Sequence, residues 1–250
     1  MFIERKTLLS KRVFLTAFVV IGFAMKILAE FVHEVLGHSL FVVLFGGEIT
    51  NLYISILWPY EFSYVFWNLP NATPMQLSWI FASGIIVCLI VSFLIQPFLI
   101  LKGRVWFHFE IALFWLAFWT LLNSSGYLLI GGLTPFGDVR ELIEMGVLSG
   151  ISSALFGLVV FAIGFALLSA VLRRILFEVF SVERVKLGVA VFWLIIPFLV
   201  AIMTFSPERN LNFAYLPLAF IPALTSFLME RFIFASKNKV DACPDYVADK

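Results

Sequence analysis

The chain has 250 residues, 62% of them hydrophobic and only 13% charged, with a formal net charge of +1 and a mean hydropathy of +1.04. A water-soluble domain carries about 25% charged residues, so this composition excludes a surface that faces water throughout. The near-neutral balance also gives no basic face for a nucleic-acid partner. The 30 Phe and 7 Trp suit hydrocarbon and its interface, and the lipid bilayer is the expected partner for most of the surface.

At the start, Arg5, Lys6, Lys11 and Arg12 precede an apolar run from Val13. This imitates a signal peptide, but no small-residue cleavage site follows and the apolar pattern continues to Phe45, so it reads as a retained anchor helix. A bilayer span needs about 20 apolar residues. Such stretches fall near 13–45 (overlong and interrupted), 76–101, 105–130, 148–172, 187–205 and 211–235. Their length and lack of period-2 alternation specify helices, the form in which a single segment satisfies its own backbone in lipid. The expected fold is an all-α polytopic membrane protein of about six transmembrane helices, one domain over residues 1–236 with a polar tail at 237–250.

Residues 46–75, between the first two spans, mix β-branched residues, aromatics, Gly and Pro. They predict a short strand or hairpin and an interfacial loop, with Asn71-Ala72-Thr73 as a formal glycosylation acceptor. Cys88 lies in an apolar run and Cys243 in the polar tail; no disulfide and no thiolate metal site is expected from that pair. Gly131-Gly132-Leu133-Thr134-Pro135-Phe136-Gly137-Asp138 predicts a turn, then a short polar helix. On the fourth span Gly146, Gly150 and Ala154 recur every four residues, a spacing that lets helices approach closely, here expected within the protein itself.

The basic residues fix an expected orientation. Arg5, Lys6, Lys11, Arg12, Lys102, Arg104, Arg173, Arg174, Arg184, Lys186, Arg231, Lys237, Lys239 and Lys250 fall on one side of a six-span topology, and only Arg140 and Arg209 on the other. Both termini are therefore expected in the cytoplasm, in a prokaryotic plasma membrane or an endomembrane.

Ionisable groups inside a membrane are costly, which makes each a functional hypothesis. Glu30, His33, Glu34 and His38 cluster at the end of the first stretch, holding two of only three histidines. At about 100° per residue all four share one helix face. Two imidazoles and two carboxylates offer ligands suited to zinc, with iron or manganese less sharply excluded. The third histidine, His108, follows the inner Lys102 and Arg104 and reads as an interfacial residue beside Trp106 and Glu110.

His33-Glu34-Val35-Leu36-Gly37-His38 resembles the H-E-x-x-H helix of the site-2 protease type of intramembrane zinc metalloprotease. In that motif two histidines bind zinc and the Glu is the general base. The Gly46-Gly47-Glu48-Ile49 run after it is similar in order and character to the family's Gly-Gly turn and strand. Thr134-Pro135-Phe136-Gly137-Asp138 resembles the later turn that supplies a third ligand. The resemblance covers roughly residues 25–145 and implies zinc on His33, His38 and Asp138, Glu34 as catalytic base, and a membrane protein or peptide substrate.

Two features depart from the family. The histidines are five apart, which separates them by about 140° on a regular helix, and Gly137 precedes the Asp where the family has Gly after it. A π-bulge absorbs one extra residue, with Gly37 easing it. The other ligand set is Glu30, Glu34 and His38 at successive i, i+4 positions, which leaves no base. Asn123 is a candidate substrate or oxyanion contact, or a helix-to-helix bond. Three functions follow: a membrane-embedded zinc metallopeptidase, a related metal-binding protein without protease activity, and a transporter or complex subunit using the Glu/His cluster as an ion or proton site.

Overall fold

The computed structural model describes residues 10–57, 59–101, 106–206, 213–229 and 231, all but the side chains of Glu183 and Phe213. Arg5, Lys6, Lys102, Arg104, Arg209, the end of the expected last span and the tail at 237–250 lie outside the described residues.

Helix α1 (Lys11–Phe31) starts where the Ser10 hydroxyl accepts from the Val13 amide, satisfying one of the donors a helix start leaves open. Val13, Leu15, Val19, Val20 and Phe23 are exposed, as a lipid-facing stripe requires. The expected interruption is a change of winding: α1 runs into a π-helical segment (Val32–Ser39) and then α2 (Leu40–Leu44), one helix of 34 residues. Gly46, at φ +83°, ends it with a backbone that favours glycine. The predicted hairpin follows. Strands β1 (Glu48–Tyr53) and β2 (Tyr64–Asn68) pair antiparallel from Glu48↔Asn68 to Tyr53↔Tyr64, with a register shift between Ile49 and Asn51.

Helix α3 (Pro74–Leu101) is the second span. The third is α4 (Phe107–Leu121), a second π-helical segment (Leu122–Gly126) and α5 (Tyr127–Leu133). It is the central helix, with more of its length buried than any other of the five spans. The short helix α6 (Gly137–Glu144) comes next, then α7 (Gly150–Phe177). Helices α8 (Val182–Phe192) and α9 (Ile195–Thr204) are separated by a turn at Trp193 and Leu194. Pro197 explains the break, because it cannot donate to the carbonyl four residues back and its ring crowds that carbonyl.

Five helices among the described residues are long and apolar enough to cross a membrane, so the chain is an all-α, multi-pass membrane protein. The expected sixth span is shorter: a 3-10 helix (Phe213–Phe220) leads into α10 (Ile221–Met229). Pro217 and Pro222 remove two α-helical donors there, and the tighter winding follows.

The half of the bundle nearer the start of α1 is closed by aromatic rings. Phe18 of α1 packs on Trp115 at 5.0 Å and Phe118 on Phe165 of α7 at 5.6 Å. The Trp119 indole donates to the Gly22 carbonyl at 2.9 Å. Lipid tails are as apolar as these side chains, so close packing and hydrogen bonds, not burial from water, hold such helices together. The small residues of α7 serve this: a Cβ on Gly157 would lie 2.4 Å from the Leu129 amide nitrogen, and the Ser153 hydroxyl donates to the Leu128 carbonyl. Gly146 is not part of that stripe; at φ +73° it turns the chain before α7.

Candidate metal centre

The π-helical winding sets the site. Its i→i+5 hydrogen bonds put more residues in each turn than an α-helix does, so residues five apart share a face. His33 and His38 thereby meet edge to face, with ring centroids 4.9 Å apart and Nε2 atoms 3.2 Å apart. The Ser39 hydroxyl donates to the Glu34 carbonyl, also five residues back.

Helix α3 packs against this segment at a pair of glycines. A Cβ on Gly37 would lie 2.5 Å from the Gly84 Cα, and one on Gly84 would lie 2.7 Å from His38 Nε2 and 2.8 Å from His33 Nε2. The bare backbone of Gly84 thus floors the two imidazoles. His38 Nδ1 lies 2.7 Å from the Ile80 carbonyl. A carbonyl only accepts, so Nδ1 carries the proton and Nε2 presents its lone pair, the usual arrangement behind a metal-bound imidazole. Behind His33, Nδ1 lies 3.8 Å from the Cys88 sulfur.

Asp138 enters from the first turn of α6. Tyr127 seats it by accepting the Asp138 amide at 2.9 Å and packing its ring on Phe136 at 4.7 Å. The buried Val139 fills the space that Gly131 leaves. Asp138 Oδ2 then lies 3.3 Å from His33 Nε2 and 3.2 Å from His38 Nε2. Burial alone would raise the Asp138 carboxyl; when His38 and His33 are protonated, in the absence of a metal ion, they outweigh it and hold it well below the usual carboxylate range.

Three donor atoms thus form a nearly equilateral triangle with edges of 3.2, 3.3 and 3.2 Å. Tetrahedral ligands at zinc distances, about 2.0–2.1 Å, stand about 3.3 Å apart. The nitrogen, nitrogen and oxygen set fits a zinc-sized ion in both chemistry and spacing.

Glu34, the residue after His33, is buried and lines a cavity of about 140 Å³ with His33 and Glu30. Glu30, the alternative ligand, is not part of the triangle. Its carboxylate accepts from the Ser63 hydroxyl at 2.7 Å and from the Asn123 amide at 2.9 Å. Asn123 therefore ties the second π-helical segment to α1, while still bordering the cavity. His108 lies at the opposite end of the third span, with its ring centroid 5.2 Å from that of Trp106.

Gly84, Tyr127 and Ser63 were not singled out by the sequence. The run Ala82-Ser83-Gly84 in a span of bulky residues is the one signal that marks Gly84. Nothing in the sequence marks the other two. No protein-family model matches the chain, and no curated protein or solved structure matches it.

Proposed function

We propose that this protein is a membrane-embedded zinc metallopeptidase that hydrolyses a peptide bond of a membrane-associated protein, with both termini in the cytoplasm. The observation that carries this is the His33, His38 and Asp138 triangle at zinc-ligand spacing, with Glu34 bordering the adjoining cavity. The likeness to the site-2 protease type supports the same reading, since the π-helical segment gives the five-residue histidine spacing a shared face.

A zinc ion held by the three side chains would supply a Lewis acid and lower the pKa of bound water towards about 7. Glu34 takes a proton from the attacking water on its carboxylate and returns it to the leaving amine. The Ile80 carbonyl keeps His38 in the tautomer that leaves Nε2 open. Asn123 and Ser63 engage the Glu30 carboxylate, so Glu30 would not compete with water or substrate for an ion held by His33, His38 and Asp138. The ion or proton path is less well supported: Lys26 is engaged with the Ser55 carbonyl at 2.5 Å, and below it Trp115 packs on Gly22.

Glu34→Gln tests the assignment of roles. The variant should keep its zinc and lose cleavage of a membrane-protein substrate by at least about 100-fold, as removal of a general base does. Unchanged cleavage would reject Glu34 as base; loss of zinc would make it a ligand.

A further inference from the structure

The cavity that Glu34 borders has a volume of about 140 Å³, room for a molecule roughly the size of benzene. Clefts that take in larger ligands run to about 300–1,000 Å³, so a peptide chain enters only if one wall moves. Most of the walls are held firmly. Ile196, Leu199 and Val200 of α9 face the cavity and also pack into the hydrophobic core. Phe136 is packed on Tyr127 and lies two residues before Asp138, so moving it would dismantle the ligand triangle. The wall made by Phe62 and Ser63 is different. It belongs to residues 59–63, which lie outside any helix or strand and contribute nothing to the hydrophobic core. Polar contacts hold this segment instead. At one end the Ser63 hydroxyl donates to the Glu30 carboxylate of α1 at 2.7 Å and accepts the Ser55 amide at 3.0 Å. Towards the other end the Tyr60 carbonyl accepts from the Ser206 hydroxyl, just past α9, at 2.6 Å. The segment thus bridges α1 and the end of α9 beside the cavity.

We infer that residues 59–63 are a strap that closes the cavity, hinged at Ser63 on α1 and released from Ser206 to admit a chain. This rests on the metallopeptidase reading above. A segment held by a few hydrogen bonds and no core packing opens at low cost, and such closures commonly gate access to reacting groups. The two attachments differ in strength. The bond of Ser63 to the Glu30 carboxylate is charge-assisted, whereas that of Ser206 to the Tyr60 carbonyl joins neutral groups and is the weaker. Ser206 is therefore the latch, and the strap swings away from α9 while it stays attached to α1.

The test uses the purified full chain loaded with zinc in detergent micelles and two probes with the same zinc-binding head. Acetohydroxamate is small enough for the closed cavity, and dansyl-Gly-Leu-hydroxamate is not. Dansyl fluorescence reads the large probe directly and the small one by displacement, with micelle partitioning subtracted by means of the His38→Ala variant. A ligand that binds only the open state has its affinity reduced by the open fraction. Ser206→Ala should therefore bind the large probe at least about threefold tighter, the weight of one neutral hydrogen bond. Acetohydroxamate should stay within about twofold of wild type, since it needs no opening. Ser206→Thr, which keeps the hydroxyl, should bind both probes as the wild type does. Two probes that change alike, a large probe that does not tighten, or loss of zinc in Ser206→Ala overturns the strap alone. Absence of zinc from the wild type overturns the metallopeptidase reading and the strap with it, so the two failures are told apart.

Discussion

Gly84 carries no functional group, yet its lack of a side chain decides whether His33 and His38 can converge. A Cβ there would stand 2.7–2.8 Å from both ligand nitrogens, and its backbone packs so closely on Gly37 that the two helices would have to separate to admit it. Gly84→Ala should therefore weaken zinc binding at least about tenfold, in the range seen when support behind a metal ligand is lost. Competition with a chromophoric chelator measures this, and an unchanged affinity would show that the imidazoles are held some other way. Glu30→Gln should behave oppositely and keep stoichiometric zinc, because the Glu30 carboxylate is occupied by Ser63 and Asn123; zinc loss in that variant would restore Glu30 as a ligand. The difference in legibility between these residues is physical. His33, Glu34, His38 and Asp138 stood out because ionisable groups are rare and costly in an apolar chain. Gly84 and Tyr127 did not, since each matters only through what a distant segment brings against it.

At the level of elements, the five-residue histidine spacing called for a π-bulge, because a wider turn brings rings five residues apart into line, and the π-helical segment Val32–Ser39 supplies it. Leu36 is the natural residue to remove, being exposed on the outer side of that turn. Its deletion leaves His33-Glu34-Val35-Gly37-His38, in which the histidines are four apart and an ordinary α-helix aligns them. The deletion variant should bind zinc with affinity within about tenfold of wild type, by the same chelator competition. Complete loss would mean that the π-helical winding does more than align two rings. The hairpin at Glu48–Asn68 and the α6 turn were legible from breakers and β-branched residues. The contacts of the intervening loop were not, because Ser55 and Ser63 reach Lys26 and Glu30 across more than 25 residues of sequence. The turn between α8 and α9 and the 3-10 start of the last helix were readable only as prolines within apolar runs.

For the whole molecule, composition and run length were enough to specify a helical bundle in lipid, and five long apolar helices form it. The last helix decides the topology: its apolar segment among the described residues, Ala214–Met229, is shorter than the five spans. If it crosses, possible for a short segment by local thinning of the bilayer, both termini lie on the same side. A membrane-impermeant thiol reagent should then label Cys243 and a Ser10→Cys variant from the same face of sealed vesicles, while Cys88 stays silent because it is buried. Labelling from opposite faces would reduce the count to five. The folding of the chain also explains why distant parts of the sequence share one centre. The π-helical segment of the first span, Gly84 of the second and the turn after the third converge at one place.

The central claim is that His33, His38 and Asp138 hold a metal ion, and zinc stoichiometry tests it most directly. Wild-type protein purified without added chelator should carry about one zinc per chain by elemental analysis. His38→Ala and Asp138→Asn should each fall to background while remaining folded by helical circular dichroism. Stoichiometric zinc in both variants, or none in the wild type after zinc is supplied, would contradict the account.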